Sequence, residues 1–293
     1  MAGARVGLSR AKPNKLLDHA RQSRYGTLMG IIEAIILGAI QGITEFLPVS
    51  SSGHLVLLQK IFGISEPVLL FDTMVHVGTL AAVFVVLWKD IWGILRRIIQ
   101  PVTGFLILAT IPTVIVALIL KDQIEAAFES GGFLGFAFLF TALVLLTAEF
   151  LARRAGKTKS SGAMGWVDAL VIGLCQAAAI IPGVSRSGMT LSGALSRKLE
   201  RGYAARFSFL LSIPAILGAL ALQVKDIAGG ETAGGIGAAP IIAGTVTAAV
   251  VGFFAIKFML KIVRERSLRG FAVYVAILGV LVLVDQQVSH VFF

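Results

Sequence analysis

Cysteine occurs once in 293 residues, at Cys175, so no disulfide can close within the chain, and the lone thiol reads as a small packing residue. Charge is scarce as well: Asp, Glu, Lys and Arg make up 14% of the residues against 57% hydrophobic, and mean hydropathy is +0.89. So little charge cannot clothe a soluble domain, which leaves an integral membrane protein. Acids are the scarcer sign, 16 against 26 Lys and Arg, for a net charge of +10. The basic residues fall in short clusters between apolar spans, where orientation in a bilayer explains them, so nucleic-acid binding is rejected. Residues 1–27 carry Arg5, Arg10, Lys12, Lys15, Arg21 and Arg24 and lack a long apolar core. They do not read as a cleaved signal peptide and are expected to form a disordered, basic tail drawn to lipid headgroups.

Apolar blocks lie near 30–48, 68–88, 102–120, 133–151, 167–182, 204–224, 240–260 and 270–293, each long enough or nearly so to cross about 30 Å of hydrocarbon. Helices are the default there, because lipid offers no partner to exposed backbone groups. Two polar runs end apolar blocks: Pro48-Val49-Ser50-Ser51-Ser52-Gly53-His54 and Pro182-Gly183-Val184-Ser185-Arg186-Ser187-Gly188. Unpartnered polar groups at membrane depth cost several kcal/mol, so such runs mark a binding site.

The chain repeats itself. An offset of 135 lays Gly38, Gln41, Val49, Ser50, Ser52 and Gly53 on Gly173, Gln176, Val184, Ser185, Ser187 and Gly188. An offset of 136 lays Phe71, Lys89, Asp90 and Glu149 on Phe207, Lys225, Asp226 and Asp285. Two modules follow, 28–151 and 167–293, joined by a basic linker at 152–166. Basic connections occur at 89–97, 152–159, 197–206 and 257–269, and acid-rich ones at 121–132 and 225–239. If 167–182 crossed the membrane fully, two basic connections would land outside and an acidic one inside. A re-entrant hairpin over 167–200, broken at Pro182-Gly183, puts every basic connection in the cytoplasm and both acidic ones outside. The same shape over 30–63, broken at Pro48, gives each half a hairpin plus three spans. The expected fold is therefore an all-α polytopic membrane protein with an inverted-topology repeat, whose hairpin tips meet near the midplane. This arrangement sets the basic tail outside, against the same charge rule.

Each break opens a short second helix with Ser and Gly, whose free N–H groups and partial positive charge suit a phosphate or carboxylate. Arg186, with no adjacent acid, adds a planar fork for phosphate oxygens, or else pairs with Glu45 across the hairpins. Ser51 and His54 lie one turn apart, as a nucleophile and its base would; singly, any of the serines is as well explained as a cap. Glu45 shares a face with Gln41 and suits a divalent cation, an orienting bond to His54, or a pair with Arg186; the spacing does not choose. Asp72 and His76, also four apart, suit a proton relay or, better, a mutually satisfied structural pair. Glu33, Glu149 and Asp285 are read as interfacial or inter-helix partners.

The stretch Gln41-Gly-Ile-Thr-Glu45-Phe-Leu-Pro-Val-Ser-Ser-Ser-Gly-His54, with Pro182-Gly-Val-Ser-Arg186-Ser-Gly-Met-Thr190, resembles bacterial undecaprenyl-diphosphate phosphatases of the bacitracin-resistance type, over roughly 28–293. The resemblance implies a hydrolase of the bacterial inner membrane that removes the terminal phosphate of the C55 isoprenoid diphosphate and recycles the carrier for peptidoglycan, with its site open to the periplasm. It implies Ser51 as nucleophile, His54 as its base or acid, Arg186 as phosphate clamp and Glu45 as a catalytic or metal-associated acid. Gln41, Ser50, Ser52, Ser185, Ser187 and Thr190 would line the diphosphate pocket, and Mg²⁺ or Ca²⁺ is the cofactor expected. Some relatives carry an acid where Gln41 stands, so a metal site of two carboxylates is weakened here. The expected partners are the polyprenyl diphosphate and the bilayer, with a homodimer allowed. On this reading Arg186→Ala abolishes hydrolysis and leaves folding near normal.

A lipid-phosphate transporter or flippase is the main alternative, since inverted repeats with broken helices suit transport, but it gives Ser51 beside His54 no task. An intramembrane serine protease leaves Arg186 without a purpose, and a purely structural protein would not retain two polar hairpins.

Overall fold

The computed structural model describes residues 29–64, 68–154, 158–228 and 235–293; the basic tail and much of the acidic 225–239 connection lie outside them. The described residues form helices and no strand. Six helices are long and apolar enough to cross a membrane: α3 (Leu69–Val86), α5 (Pro101–Ile119), α7 (Leu134–Arg154), α10 (Arg201–Ala228), α11 (Ala238–Glu265) and α12 (Arg269–Val284). A π-helical turn, Asp285–Ser289, extends the last. Short amphipathic helices α4 (Trp88–Arg96) and α6 (Lys121–Ser130) join spans of the first half. The protein is a multi-pass, all-α membrane protein.

The remaining four helices make two broken pairs, α1 (Ile31–Thr44) with α2 (Ser51–Phe62), and α8 (Trp166–Ala178) with α9 (Arg186–Ser196). At 14 and 13 residues, α1 and α8 reach about 20 Å and stop short of a full crossing. The chain turns at Pro48, which lacks an N–H, and at Gly183, whose φ of +85° favours glycine. Each second helix starts on a serine cap: Ser50 Oγ accepts from the Gly53 amide at 3.2 Å, and Ser185 Oγ from the Gly188 amide at 3.0 Å. The register shared at offset 135 is thus a shared cap.

Small residues set the packing, as expected where lipid cancels any hydrophobic drive between helices. α1 lies along α11 so closely that a Cβ on Gly38 would overlap the Gly244 backbone. α8 lies along α5 in the same way, and a Cβ on Gly173 would sit 2.6 Å from the Ala109 carbonyl oxygen. Gly38 with Gly173, and Ala109 with Gly244, are each 135 apart, so each hairpin leans on the middle span of the other half at equivalent points. α7 and α12 meet through Gly135 and Gly279. Phe46, Phe71, Phe138 and Phe207 are buried inside, while Ile107, Phe136, Leu143 and Phe254 face outward, as a lipid-facing surface requires.

Ion pairs and hydrogen bonds tie all four basic connections together at one end of the bundle. Buried Glu149 accepts from Arg153 at 3.1 Å, Arg201 at 2.7 Å and the Leu268 amide at 3.2 Å. Asp168 holds Lys159 and Arg197, and Arg206 reaches Asp90. The Lys159 and Leu199 backbones form an isolated bridge, so both ends of the α8–α9 hairpin sit at this basic end. The α1–α2 hairpin has its ends with other company. Met29 and Leu37 pack in one cluster with Phe62 and Ile64 and with Ile236 and Ile241, and Gly131 of the acidic connection lies beside Lys60 and Phe293.

Candidate active site

The two hairpin tips touch. Ser187 Oγ donates to the Leu47 carbonyl at 2.9 Å and the Gly183 amide donates to Ser52 Oγ at 3.4 Å, each bond crossing from one hairpin to the other. Thr141 of α7 braces the junction by accepting from the Ser185 amide at 3.1 Å.

Glu45, the residue that caps the C-terminus of α1, sits at the centre and is 6% exposed. Its Oε2 accepts the Ser51 hydroxyl at 2.6 Å and the Gln41 amide at 3.0 Å, and its Oε1 takes the Arg186 guanidinium. Arg186 also donates to the Ser208 carbonyl on α10 at 3.4 Å. Of the three roles left open for Glu45, the structure displays the pair with Arg186, and it adds a bond to Ser51. Ser51 and Arg186 are the first residues of α2 and α9, and they stand at equivalent places in the repeat. Two helix N-termini therefore converge with one carboxylate, one guanidinium and one hydroxyl between them. Charge-assisted hydrogen bonds and the N-terminal dipoles are features that suit an anion at this junction.

Other residues expected at the site are engaged elsewhere. His54 has both ring nitrogens occupied: Nδ1 donates to the Ser50 carbonyl at 2.7 Å, leaving Nε2 to accept from the Tyr274 hydroxyl at 2.8 Å. Its ring stacks on Tyr274 and meets Phe138 edge-on, so the hydroxyl one turn away bonds to Glu45 and not to the imidazole. The helical spacing was right; the χ angles turn the ring toward α12. Ser50, Ser185, Ser187 and Thr190 are all under 5% exposed and spend their hydroxyls on caps, on the Leu47 carbonyl and on the Arg186 carbonyl. Ser51, Ser52 and Arg186 remain partly exposed. Ser50 holds a φ of +71°, rare for a residue with a Cβ and located at the turn that aims Ser51.

Asp72 and His76 do not pair through their side chains. The His76 Nδ1 donates to the Asp72 backbone carbonyl at 2.6 Å, while the Asp72 carboxylate accepts from Gln59 at 2.8 Å. His76 Nε2 instead faces Glu45 Oε2 at 3.6 Å. Sequence reading missed His76 at Glu45, Tyr274 at His54 and Ser208 at Arg186. All three contacts join distant segments, and no local spacing encodes them.

The donor set does not suit a resident Mg²⁺ or Ca²⁺. Such ions want six or more oxygen ligands, with acids foremost. Here the one carboxylate is already shared among a hydroxyl, an amide and a guanidinium whose charge repels a cation. Among the described residues no three His, Cys, Asp or Glu side chains converge as a metal set.

A family model, Bacitracin resistance protein BacA, matches residues 34–281. The chain is 47% identical over 259 residues to the undecaprenyl-diphosphatase of Carboxydothermus hydrogenoformans, covering 88% of this chain and 98% of that one. It is 39% identical over 279 residues to the undecaprenyl-diphosphatase of Methanosphaera stadtmanae, with the same coverage. With undecaprenyl-diphosphatase 4 of Bacillus thuringiensis subsp. konkukian it shares 44% over 258 residues, again 88% and 98% of the two chains. A match spanning both hairpins and nearly all of the spans places the chain in the bacitracin resistance protein BacA family.

Proposed function

We propose that this protein is a membrane phosphatase that hydrolyses undecaprenyl diphosphate to undecaprenyl phosphate and inorganic phosphate. The observation that carries the reading is Glu45 held between the Ser51 hydroxyl and the Arg186 guanidinium where two helix N-termini meet. The names of the relatives, all undecaprenyl-diphosphatases, agree with it.

The chemistry follows from what each group can offer. Glu45 Oε2 takes the Ser51 proton as Oγ attacks the terminal phosphorus, and the bridging P–O bond breaks to release the lipid monophosphate. Arg186 and the free N–H groups of α2 and α9 neutralise the phosphoryl oxygens as charge moves to the leaving group. Once Glu45 has passed that proton on, water loses a proton to it and frees phosphate from the serine, whose Oγ takes the proton from Glu45. His54, stacked on Tyr274, acts in this scheme by fixing the first turn of α2 and with it the aim of Ser51. No metal enters these steps, and the divalent cation belongs in this scheme with the substrate, as the counter-ion of its diphosphate. An apolar groove of about 510 Å³ between α3, α4, α5 and α10, lined by Phe84, Leu106, Ile111 and Leu210 among others, offers hydrocarbon-lined room of the kind a prenyl chain needs.

The reading sets the basic end in the cytoplasm of a bacterial inner membrane and opens the site toward the periplasm. Support comes from the four basic connections gathered at one end, and from the two hairpins having their ends at opposite ends of the bundle, as an inverted repeat requires.

Purified protein incubated with a long-chain polyprenyl diphosphate, with and without chelator, is expected to release phosphate. Ser51→Ala lowers kcat by about a thousandfold or more, and acid-quenched wild type carries phosphoserine. No phosphate release from wild type overturns the reading. Release without phosphoserine, and a mild Ser51→Ala, leave the phosphatase but replace the nucleophile by water. The exchanged hairpins are also a transporter's architecture, and lipid movement without hydrolysis would favour that second reading.

A further inference from the structure

A carboxylate that has taken the proton of Ser51 cannot also take one from water, so a two-step reaction needs somewhere for the first proton to go. His76 stands at that place. Its Nε2 lies 3.6 Å from the same Glu45 oxygen that accepts Ser51 at 2.6 Å. Its Nδ1 proton is fixed by the Asp72 backbone carbonyl at 2.6 Å, so the neutral ring turns a lone pair, not an N–H, toward Glu45. With the ring neutral, lone pair and carboxylate face each other and no proton lies between them. That arrangement is unfavourable until one arrives and favourable once it does. At 3.6 Å the pair is too long for a hydrogen bond, and a small ring rotation or one water closes it, as apo catalytic contacts commonly do on binding.

The surroundings leave this task to His76 and not to His54. The His54 Nε2 is occupied by Tyr274, whereas the Asp72 carboxylate bonds to Gln59 and acts on the His76 ring only electrostatically. The His76 side chain is 29% exposed beside a Glu45 that is 6% exposed, so it is the more accessible member of the pair. The charged groups facing it are Glu45 and, through Glu45, Arg186 from the two hairpins, with Asp72 on its own helix. α10 and α11, which also pack on α3, pass this level with uncharged stretches, Ser208–Ser212 and Gly244–Ala248.

We propose that His76 is the proton outlet of the site, a positioning residue that acts through Glu45. The inference rests on the phosphatase reading. The Ser51 Oγ–H proton passes to Glu45 Oε2 as the Oγ–P bond forms and the bridging P–O bond breaks, and from Glu45 it passes to His76 Nε2. Glu45, a carboxylate again, takes a proton from the attacking water while the Oγ–P bond breaks, and returns it to Ser51 Oγ. His76 gives the first proton to solvent.

The test compares wild type, His76→Gln and His54→Gln in phosphate release across about pH 5 to 9, the range in which imidazole titrates. His76→Gln is expected to lower kcat about ten- to a hundredfold with KM within about twofold, and to lose the acid limb of the kcat profile, which His54→Gln keeps. An acid limb retained in His76→Gln overturns the proposal. A second measurement needs no turnover: in histidine-labelled protein followed by NMR, with the His76 signal assigned from its loss in His76→Gln, the titration midpoint of His76 changes in Glu45→Gln. An unchanged midpoint also overturns the proposal. Inactive wild type would sink the phosphatase reading alone, and the NMR titration would then decide the coupling of His76 to Glu45.

Discussion

At the scale of single residues, the arrangement around Glu45 changes what a substitution at Arg186 means. Read from the sequence, Arg186→Ala removes a phosphate ligand and leaves the fold near normal. In the structure Arg186 is also the counter-charge of a buried carboxylate, and deleting one member of such a pair typically costs about 3–5 kcal/mol. Arg186→Ala is therefore expected to lose stability together with activity. Arg186→Lys is the cleaner probe, since it keeps a cation against Glu45 but loses the planar fork that binds two phosphate oxygens at once. Its kcat is expected to fall about a hundredfold, with a melting midpoint within a few degrees of wild type in the same detergent. Near-normal kcat in Arg186→Lys would mean that charge alone suffices at that position.

At the scale of elements, the broken helices are the costly devices of this fold, and the second depends on glycine while the first turns at Pro48 and Ser50. Gly183 combines a φ of +85° with neighbours that leave no room: an added Cβ would sit 2.8 Å from Leu134 Cδ1 and 2.9 Å from Ala137 Cβ. Gly183→Ala is expected to destabilise by about 1–3 kcal/mol from backbone strain, with crowding added, and to lower activity by moving Arg186 off its line to Glu45. Gly162 has open space at its Cβ, and Gly162→Ala serves as the neutral control. Thermal unfolding of the two variants side by side checks this; equal midpoints would show that the second break tolerates a side chain. Gly53 is crowded in the same way in the first hairpin, where a Cβ would meet the Phe138 ring at 2.7 Å. The serine caps keep each second helix starting at a fixed residue, and that residue is Ser51 in one hairpin and Arg186 in the other.

At the scale of the whole molecule, two segments that share a sequence pattern at an offset of 135 touch at their tips and differ where they meet. Equivalent positions carry Ser51 and Arg186, and Glu45 has Ile180 as its counterpart, so the frame is repeated while the chemistry is not. Opposite insertion of the halves has a direct test. With Cys175 replaced by alanine, a cysteine at Glu265, the counterpart of Ser130 at the offset of 135 and part of the basic connection 257–269, is expected to react with a membrane-impermeant thiol reagent only from the cytoplasmic side. One at Ser130, in the acidic connection, is expected to react only from the outside. Labelling of both from one side would remove the inverted arrangement and, with it, the expected periplasmic opening.

Composition and pattern were enough for the class of protein and the number of spans, and they singled out the two polar runs that the fold brings together. Low charge and long apolar blocks admit few other folds in lipid, and polar runs at membrane depth are too costly to stand without purpose. The spacing of 135 also exposed the pairing of the hairpins, because equivalent serines cap equivalent helices. What the sequence could not decide was which polar groups face one another. His54 stands one turn from Ser51 and His76 stands 25 places beyond it, yet His76 is the imidazole that reaches the carboxylate holding the Ser51 hydroxyl. Helical spacing places a Cβ on a face, but the direction in which a ring then turns depends on its neighbours from other helices, Tyr274 for His54 and the Glu45 tip for His76. Those neighbours are brought together by close glycine contacts between halves more than a hundred residues apart, and only the folded chain contains them.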